Sequence, residues 1–106
     1  MNFDQYQKES RKTAIYNDVG KNFFYPVLGL IGETGEIAEK LKRTMRGEKK
    51  TFSKKQISKE LGDVLWYLSQ LASELDLSLD KVATENIKKL KSRKRRGVLR
   101  GSGDNR

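Results

Sequence analysis

Apolar residues recur along this chain at intervals of three and four, the period of an α-helix, in four separate stretches. The first covers about residues 3 to 16, where Phe3, Tyr6, Ser10 and Ala14 share one side. A loop, "NDVGKNFFY", contains Gly20. Pro26 then suits the first turn of a second helix, because its φ is already helical and its missing N–H has no partner to lose there. Val27, Leu30, Ile31, Ile37, Ala38, Leu41 and Met45 gather on one side of this helix, and Gly47 is a natural terminator. After the polar connection "GEKKTF", Ser53 with Gln56 three positions on is a capping-box pattern that opens a third helix. Its apolar stripe is Ile57, Leu61, Val64, Leu65, Leu68, Leu71, Ala72 and Leu75. "DLS" breaks the chain again, and Ser78 caps a fourth helix carrying Leu79, Val82, Ala83, Asn86, Ile87 and Leu90 until "SRKRRGVLRGSGDNR" ends it. Four helices with short connections predict an all-α four-helix bundle over residues 1–95, with residues 96–106 as a basic, glycine-containing C-terminal extension.

Composition adds limits. A chain of 106 residues is one domain. It can bury only roughly 60–70% of its unfolded surface, so assembly as a dimer or tetramer is expected. Mean hydropathy of −0.80 and a charged fraction of 35% suit a helical domain in water. No apolar run approaches the roughly 20 residues that span a bilayer, and "MNFDQYQKES" lacks the apolar core of a secretory signal, so the expectation is a cytoplasmic protein with no membrane partner. Cysteine and histidine are both absent. Serine–histidine catalysis is thereby excluded, and any metal must be held by oxygen, which selects hard ions such as Mg²⁺ or Mn²⁺. The net charge of +9 is uneven: residues 86–106 hold nine Lys or Arg against the single acid Asp104. A nearly neutral body with a cationic end implies a polyanionic partner, either nucleic acid or a phosphorylated small molecule.

Two tetrapeptides of one form stand on the second and third helices, "ETGE" at 33–36 and "ELGD" at 60–63. Residues three apart share a helix face with Cβ atoms about 5–6 Å apart, so Glu33 with Glu36, and Glu60 with Asp63, make two carboxylate pairs. Both lie at the flank of an apolar stripe, beside Ile37 and beside Val64 and Leu71, facing the seam between helices. Like charges at a half-buried position raise one another's pKa and are unfavourable unless a cation neutralises them. Such oxygens on two packed helices suit a hard divalent ion. The competing reading is a solvated, salt-bridged face. Glu36 with Lys40 and Glu39 with Arg43 have the favourable i, i+4 spacing, whereas Glu60 has only Gln56 and Val64 at i±4, and Asp63 has Lys59 in the weaker order and Tyr67. Gly29, Gly32, Gly35 and Gly62 lie inside these helices at about 1 kcal/mol each relative to alanine, which makes sense where another helix or a ligand comes close. Spacing alone leaves both readings open. Trp66, on the opposite side of the third helix from its stripe, reads as a subunit-interface residue in preference to a base-stacking one, and Tyr67 as core edge.

At these residues the chain resembles a known family. "LGLIGETGEIAEKLKR" followed by "KELGDVLWYLSQLASELDLSLDKVATENIKKLKSR" is similar to the MazG-like nucleoside triphosphate pyrophosphohydrolases of the all-α NTP pyrophosphatase superfamily. The likeness runs from "QYQ" near the start to the "GSGDNR" ending. The family pattern, Glu-x-x-Glu on one helix and Glu-x-x-Asp on the next, is matched by Glu33, Glu36, Glu60 and Asp63. The resemblance implies Mg²⁺-dependent hydrolysis of a (d)NTP between the α and β phosphates, to monophosphate and pyrophosphate, in nucleotide-pool house-cleaning, with Mn²⁺ as a substitute ion. It makes those four acids the catalytic metal ligands. Glu39, one turn beyond Glu36, is either an extra ligand or base, or the ion-pair partner of Arg43.

The run "NIKKLKSR" looks like the family's Asn-x-x-Lys-Leu-x-x-Arg segment and maps phosphate binding onto Asn86, Lys89 and Arg93. Arg grips phosphate in a fork and Lys supplies a point charge. The alternative there is a solvated helix end whose cations favour the dipole. Arg96 and Arg100, with the glycines around them, form either a clamp over the nucleotide or a flexible tail. A rival function is a small helical nucleic-acid-binding protein using "KKLKSRKRRGVLR", but the absence of interleaved aromatics makes nucleic acid the less favoured partner. A helical scaffold without chemistry leaves the duplicated acid pairs unexplained.

Overall fold

Capping chemistry sets the bounds of four helices in the computed structural model, which describes residues 1–48 and 52–106: α1 (Phe3–Arg11), α2 (Phe24–Met45), α3 (Lys54–Glu74) and α4 (Leu79–Arg95). No strand occurs among the described residues, so the all-α fold class expected from the periodicity is the one observed. Of the connection "GEKKTF", residues 49–51 lie outside the described residues. Asn2 opens α1 with a reciprocal capping box to Gln5, a signal unused in the sequence reading. Pro26 sits in the first turn of α2, while Ser53 and Ser78 cap α3 and α4 by accepting from the N–H groups of Gln56 and Lys81. Gly47 ends α2 at φ +80°, and its N–H and that of Glu48 return to Thr44 and Arg43. Asp76 plays the same part after α3 at φ +55°.

Two boundaries differ: α2 starts at Phe24, taking in the last two residues of the expected loop, and α1 ends well short. α1 stops at Arg11 instead of running on to residue 16. The chain beyond it is drawn onto a single carboxylate, Glu74 at the end of α3, whose side chain is only 1% exposed. Arg11 Nη2 donates to it at 2.8 Å, Tyr16 Oη at 2.5 Å, and the backbone N–H groups of Gly20 and Asn22 at 2.8 Å each. Burial alone would raise this carboxyl, but four donors outweigh that and hold it at about 2. A continuous helix would carry Tyr16 and Gly20 away from Glu74, and the donors favour the turn.

The α1–α3 contact is polar at its centre. Ser69 and Gln70 are fully buried; Ser69 Oγ meets Ser10 Oγ at 2.9 Å, and Gln70 receives Arg11 Nη1 at 3.1 Å. Gln7 reaches the end of α3 through Ser73 Oγ at 3.0 Å and the start of α4 through the N–H of Leu79 at 2.8 Å. α4 therefore packs on α1.

α2 and α3 form the main contact and run antiparallel, since Gly29 lies against Tyr67 and Lys40 against Glu60. Gly29 is required there: a Cβ at this position would fall 2.1 Å from Tyr67 Cε1. At Gly32, Gly35 and Gly62 an added Cβ meets nothing within 4 Å, so the close approach expected at those three is not made within the chain. The apolar stripes are likewise only partly covered. Ile31 is 64% exposed, Leu61 56% and Met45 79%, and the buried apolar side chains among the described residues are Ala72, Leu79 and Pro26. A radius of gyration of 16.7 Å exceeds the value of about 13 Å for a compact chain of this length.

Two outcomes follow from this packing. Replacing Glu74 by Ala leaves Arg11 unpaired and should lower unfolding free energy by about 3 kcal/mol in urea. The carboxyl is depressed from 4.5 to about 2, so its stabilisation is full above 4.5 and lost as pH falls through about 2. Glu74→Gln should flatten that acid limb in denaturation curves collected between neutral pH and strong acid. Gly29→Ala should destabilise the chain despite alanine's higher helix propensity, and in the Tyr67→Ala background, where the overlapping ring is gone, the penalty should vanish; a double-mutant cycle measures this.

Candidate metal centre

The antiparallel seam brings carboxylates of α2 and α3 to one point. Glu33, Glu60 and Asp63 each offer an oxygen, and these oxygens lie within 4.8 Å of one another, the first two half-buried and the third exposed. The spacing of three between Glu60 and Asp63 puts both on the α3 face that meets α2, and the Gly29–Tyr67 approach one turn away sets the interhelical distance. Glu33 is held above the ordinary carboxylate value by burial first, then by a hydrogen bond shared with Glu60 and by the charges of Asp63, Glu60 and Glu36. This is the like-charge crowding that a cation relieves.

Lys40, expected to pair with Glu36, reaches across to Glu60 with Nζ 3.6 Å from Oε1. Glu36 stays outside the 4.8 Å cluster, although its charge reaches Glu33. Glu39 points elsewhere: Lys42 Nζ lies 2.9 Å and Arg43 Nε 3.3 Å from its oxygens, and these pairs lower its pKa, the Lys42 hydrogen bond foremost. The structure thus gives Glu39 its ion pair and does not bring it to the cluster.

Phenols border the acids. Tyr67 is raised by burial, then by its hydrogen bond with Tyr25 and the charges of Glu33 and Asp63; Tyr6 is raised by burial and by Asp63. Both stay protonated and so remain donors beside the carboxylates. Behind Tyr67, Tyr16 stacks on Tyr25 with centroids 4.8 Å apart and planes 14° apart. Trp66, expected as an exposed interface residue, is half-buried within its own chain: Nε1 donates to Thr13 Oγ1 at 2.8 Å, and its ring meets Tyr16 and Tyr67 edge-on at 6.4 and 5.1 Å. The loop after α1 covers it. That cover was invisible while α1 was read as continuing past Arg11, because the partners come from residues 13–16 in a turn. Glu74, which holds the turn, was also passed over, since nothing local distinguishes it from a surface glutamate.

The expected phosphate ligands are on α4 and in the tail. α4 meets α3 around an apolar hollow lined by Leu71, Ala72, Leu75, Leu79 and Val82, at the opposite end of α3 from Glu60. Asn86 and Lys89 are exposed on α4, as is Arg100 in the tail. Arg93 is 4% exposed and donates from Nη2 to the carbonyls of Gly103 and Asp104. Arg96 donates to Ser92 Oγ and to Arg106 O. Arg93 and Arg96 thus bond to Ser92 and to the C-terminal residues, and among the described residues no ion pair joins Lys89, Arg93, Arg96 or Arg100 to Glu33, Glu60 or Asp63.

The donor set fits one kind of occupant. Three oxygens and no nitrogen or sulfur, crowded and partly desolvated, suit a hard divalent cation of the Mg²⁺ and Mn²⁺ class. Glu33, Glu60 and Asp63 would hold it.

Comparison with known proteins agrees. Residues 26–98 match the MazG nucleotide pyrophosphohydrolase domain, a span that contains all four acids and α4. The Gene 37 protein of Mycobacterium phage L5 is 44% identical over 114 residues, covering the whole of both chains; its name states no activity. No solved structure matches the chain. With the matched domain spanning more than half of its length and both carboxylate pairs, this chain belongs to the MazG nucleotide pyrophosphohydrolase family.

Proposed function

We propose that the protein hydrolyses a nucleoside triphosphate between its α and β phosphates, releasing monophosphate and pyrophosphate, with Mg²⁺ held by Glu33, Glu60 and Asp63 and with Glu36 as the fourth carboxylate. The observation that carries this reading is the convergence of three carboxylate oxygens from two helices within 4.8 Å in a chain of this family. When bound, the ion neutralises charge on phosphate oxygens and lowers the pKa of a water, which lets water act without a histidine base. The chain's own residues do the rest. α2 and α3 fix the carboxylates before the ion arrives, Lys40 tethers Glu60, and the protonated Tyr67 holds its hydroxyl beside Glu33 and Asp63. In the reaction water adds across the Pα–O–Pβ bridge, the bridging bond breaks toward pyrophosphate, and one proton is released. Asn86 and Lys89 on α4, with Arg93, Arg96 and Arg100, are assigned to the phosphate chain.

A second copy is part of the proposal. The exposed apolar residues of α2, α3 and α4, Ile31, Leu61 and Ile87 among them, leave the chain short of a core, and a homo-oligomer covers them. It also offers a route by which basic α4 residues of one copy meet the acids of another.

A panel of NTPs and dNTPs with Mg²⁺, assayed for pyrophosphate, tests the chemistry. Glu36→Gln and Asp63→Asn should each lower kcat by at least about 100-fold with helical circular dichroism unchanged, a size typical of losing a charge-stabilising group. Glu39→Gln, whose ion pairs among the described residues are with Lys42 and Arg43, should keep turnover within a few-fold of the parent; full activity in Asp63→Asn would sink the ligand assignment. Light scattering should return a mass that is a multiple of 12.2 kDa, and Ile31→Glu should shift it toward the single chain.

A further inference from the structure

The C-terminal ten residues form a closed structure around arginine side chains. Arg93 is 4% exposed, its Nη2 lies 3.0 Å from Asp104 O and 3.4 Å from Gly103 O, and its Nε has no hydrogen-bond partner. No ion pair involves Arg93 among the described residues. A desolvated guanidinium facing only carbonyl dipoles is a costly arrangement, since dipoles offset a buried charge less well than an anion does. Its neighbours add positive charge. Arg106 donates from Nε to Val98 O at 3.1 Å, from Nη1 to Gly103 O at 2.6 Å and from Nη2 to Leu99 O at 3.3 Å, while Arg96 Nη2 reaches Arg106 O at 2.9 Å.

Carbonyl oxygens thus occupy the directions in which guanidinium forks take phosphate oxygens, and charge-assisted bonds to phosphate are roughly twice as strong as neutral ones. The chain returns on itself through left-handed backbone at Gly101, φ +151°, and Gly103, φ +88°. Among the described residues the hydrogen bonds of residues 98–106 close within residues 93–106, so releasing them breaks no hydrogen bond to α1, α2 or α3.

We infer that residues 98–106 are a latch that occupies the Arg93 fork in place of a phosphoanion, and that a free di- or triphosphate chain opens it. The inference rests on the phosphate role given above to Arg93, and it makes the resting tail a competitor of the ligand instead of a clamp upon it. Binding then carries the cost of the closed population, and loosening the latch tightens binding.

The test uses the full chain in EDTA, where the carboxylate centre is silent, with pyrophosphate as the probe. Amide hydrogen exchange in residues 98–106 should accelerate several-fold on adding pyrophosphate while α2 and α3 stay unchanged. Gly103→Val, which opposes the left-handed turn, should bind pyrophosphate several-fold more tightly by calorimetry. Arg106→Gln, which removes the tail's own three bonds and leaves Arg93 in place, should do the same; Arg93→Gln should abolish both binding and the exchange response. A single-stranded 12-mer without terminal phosphates, at matched phosphate concentration, should leave the tail closed. Unchanged exchange with pyrophosphate, weaker binding by both Gly103→Val and Arg106→Gln, or opening by the oligonucleotide alone overturns the latch. Because no divalent ion is present, such a failure leaves the pyrophosphohydrolase reading standing, and loss of that reading in the turnover assay leaves the anion response to be read by itself.

Discussion

Mutual repulsion of carboxylates at the α2–α3 seam is the constraint around which the rest of the chain is arranged. Glu33, Glu60 and Asp63 are held closer than free carboxylates would choose, and burial raises Glu33 further. Something must hold the helices together against that repulsion. The ring of Tyr67 lies on the bare backbone at Gly29, where any side chain would collide, and Lys40 bridges to Glu60 across the seam. Helix approach and charge crowding therefore have one origin, and a hard cation removes the unfavourable part while leaving the geometry in place.

Behind the seam the support is polar. Glu74 gathers Arg11, Tyr16, Gly20 and Asn22 and so lays the loop after α1 across Trp66. A chain with few buried hydrophobic side chains gains little from burial. Its α1–α3 contact instead relies on Ser10, Ser69 and Gln70, each satisfied by a defined partner. Such contacts tolerate fewer alternative packings than an apolar surface does, because every misplacement leaves a donor or acceptor unpaired. The aromatic stack behind the acids inherits that definition.

The cationic half is organised separately. α4 is joined to α1 through Gln7, and its basic end is covered by its own tail around Arg93. The carboxylate cluster lies on the α2–α3 seam and the tail-covered Arg93 on α4, in a single chain whose apolar stripes are open. In the proposals above, association between chains and movement of the tail would bring those parts together, and each involves surfaces that the single chain leaves exposed or occupied by backbone oxygens.

The sequence by itself determined the helices, apart from the end of α1, and the flanks that carry the acids, because both are encoded at separations of three and four residues: apolar period, Ser53 and Ser78 caps, Gly47 stop, and Glu33, Glu60 and Asp63 on the α2–α3 seam. It also carried the family likeness. What only the tertiary structure decided depends on partners far apart in the chain. α1 ends early because Glu74, more than fifty residues on, captures Tyr16 and Gly20; Lys40 chooses Glu60 over Glu36 because another helix lies within reach. Trp66 is covered by a turn that helical periodicity cannot show, Gly29 alone of the four helical glycines is pressed by a neighbour, and Arg93 is buried by carbonyls ten residues away. Period and spacing report which face a residue occupies; what meets that face is settled only when the chain folds back.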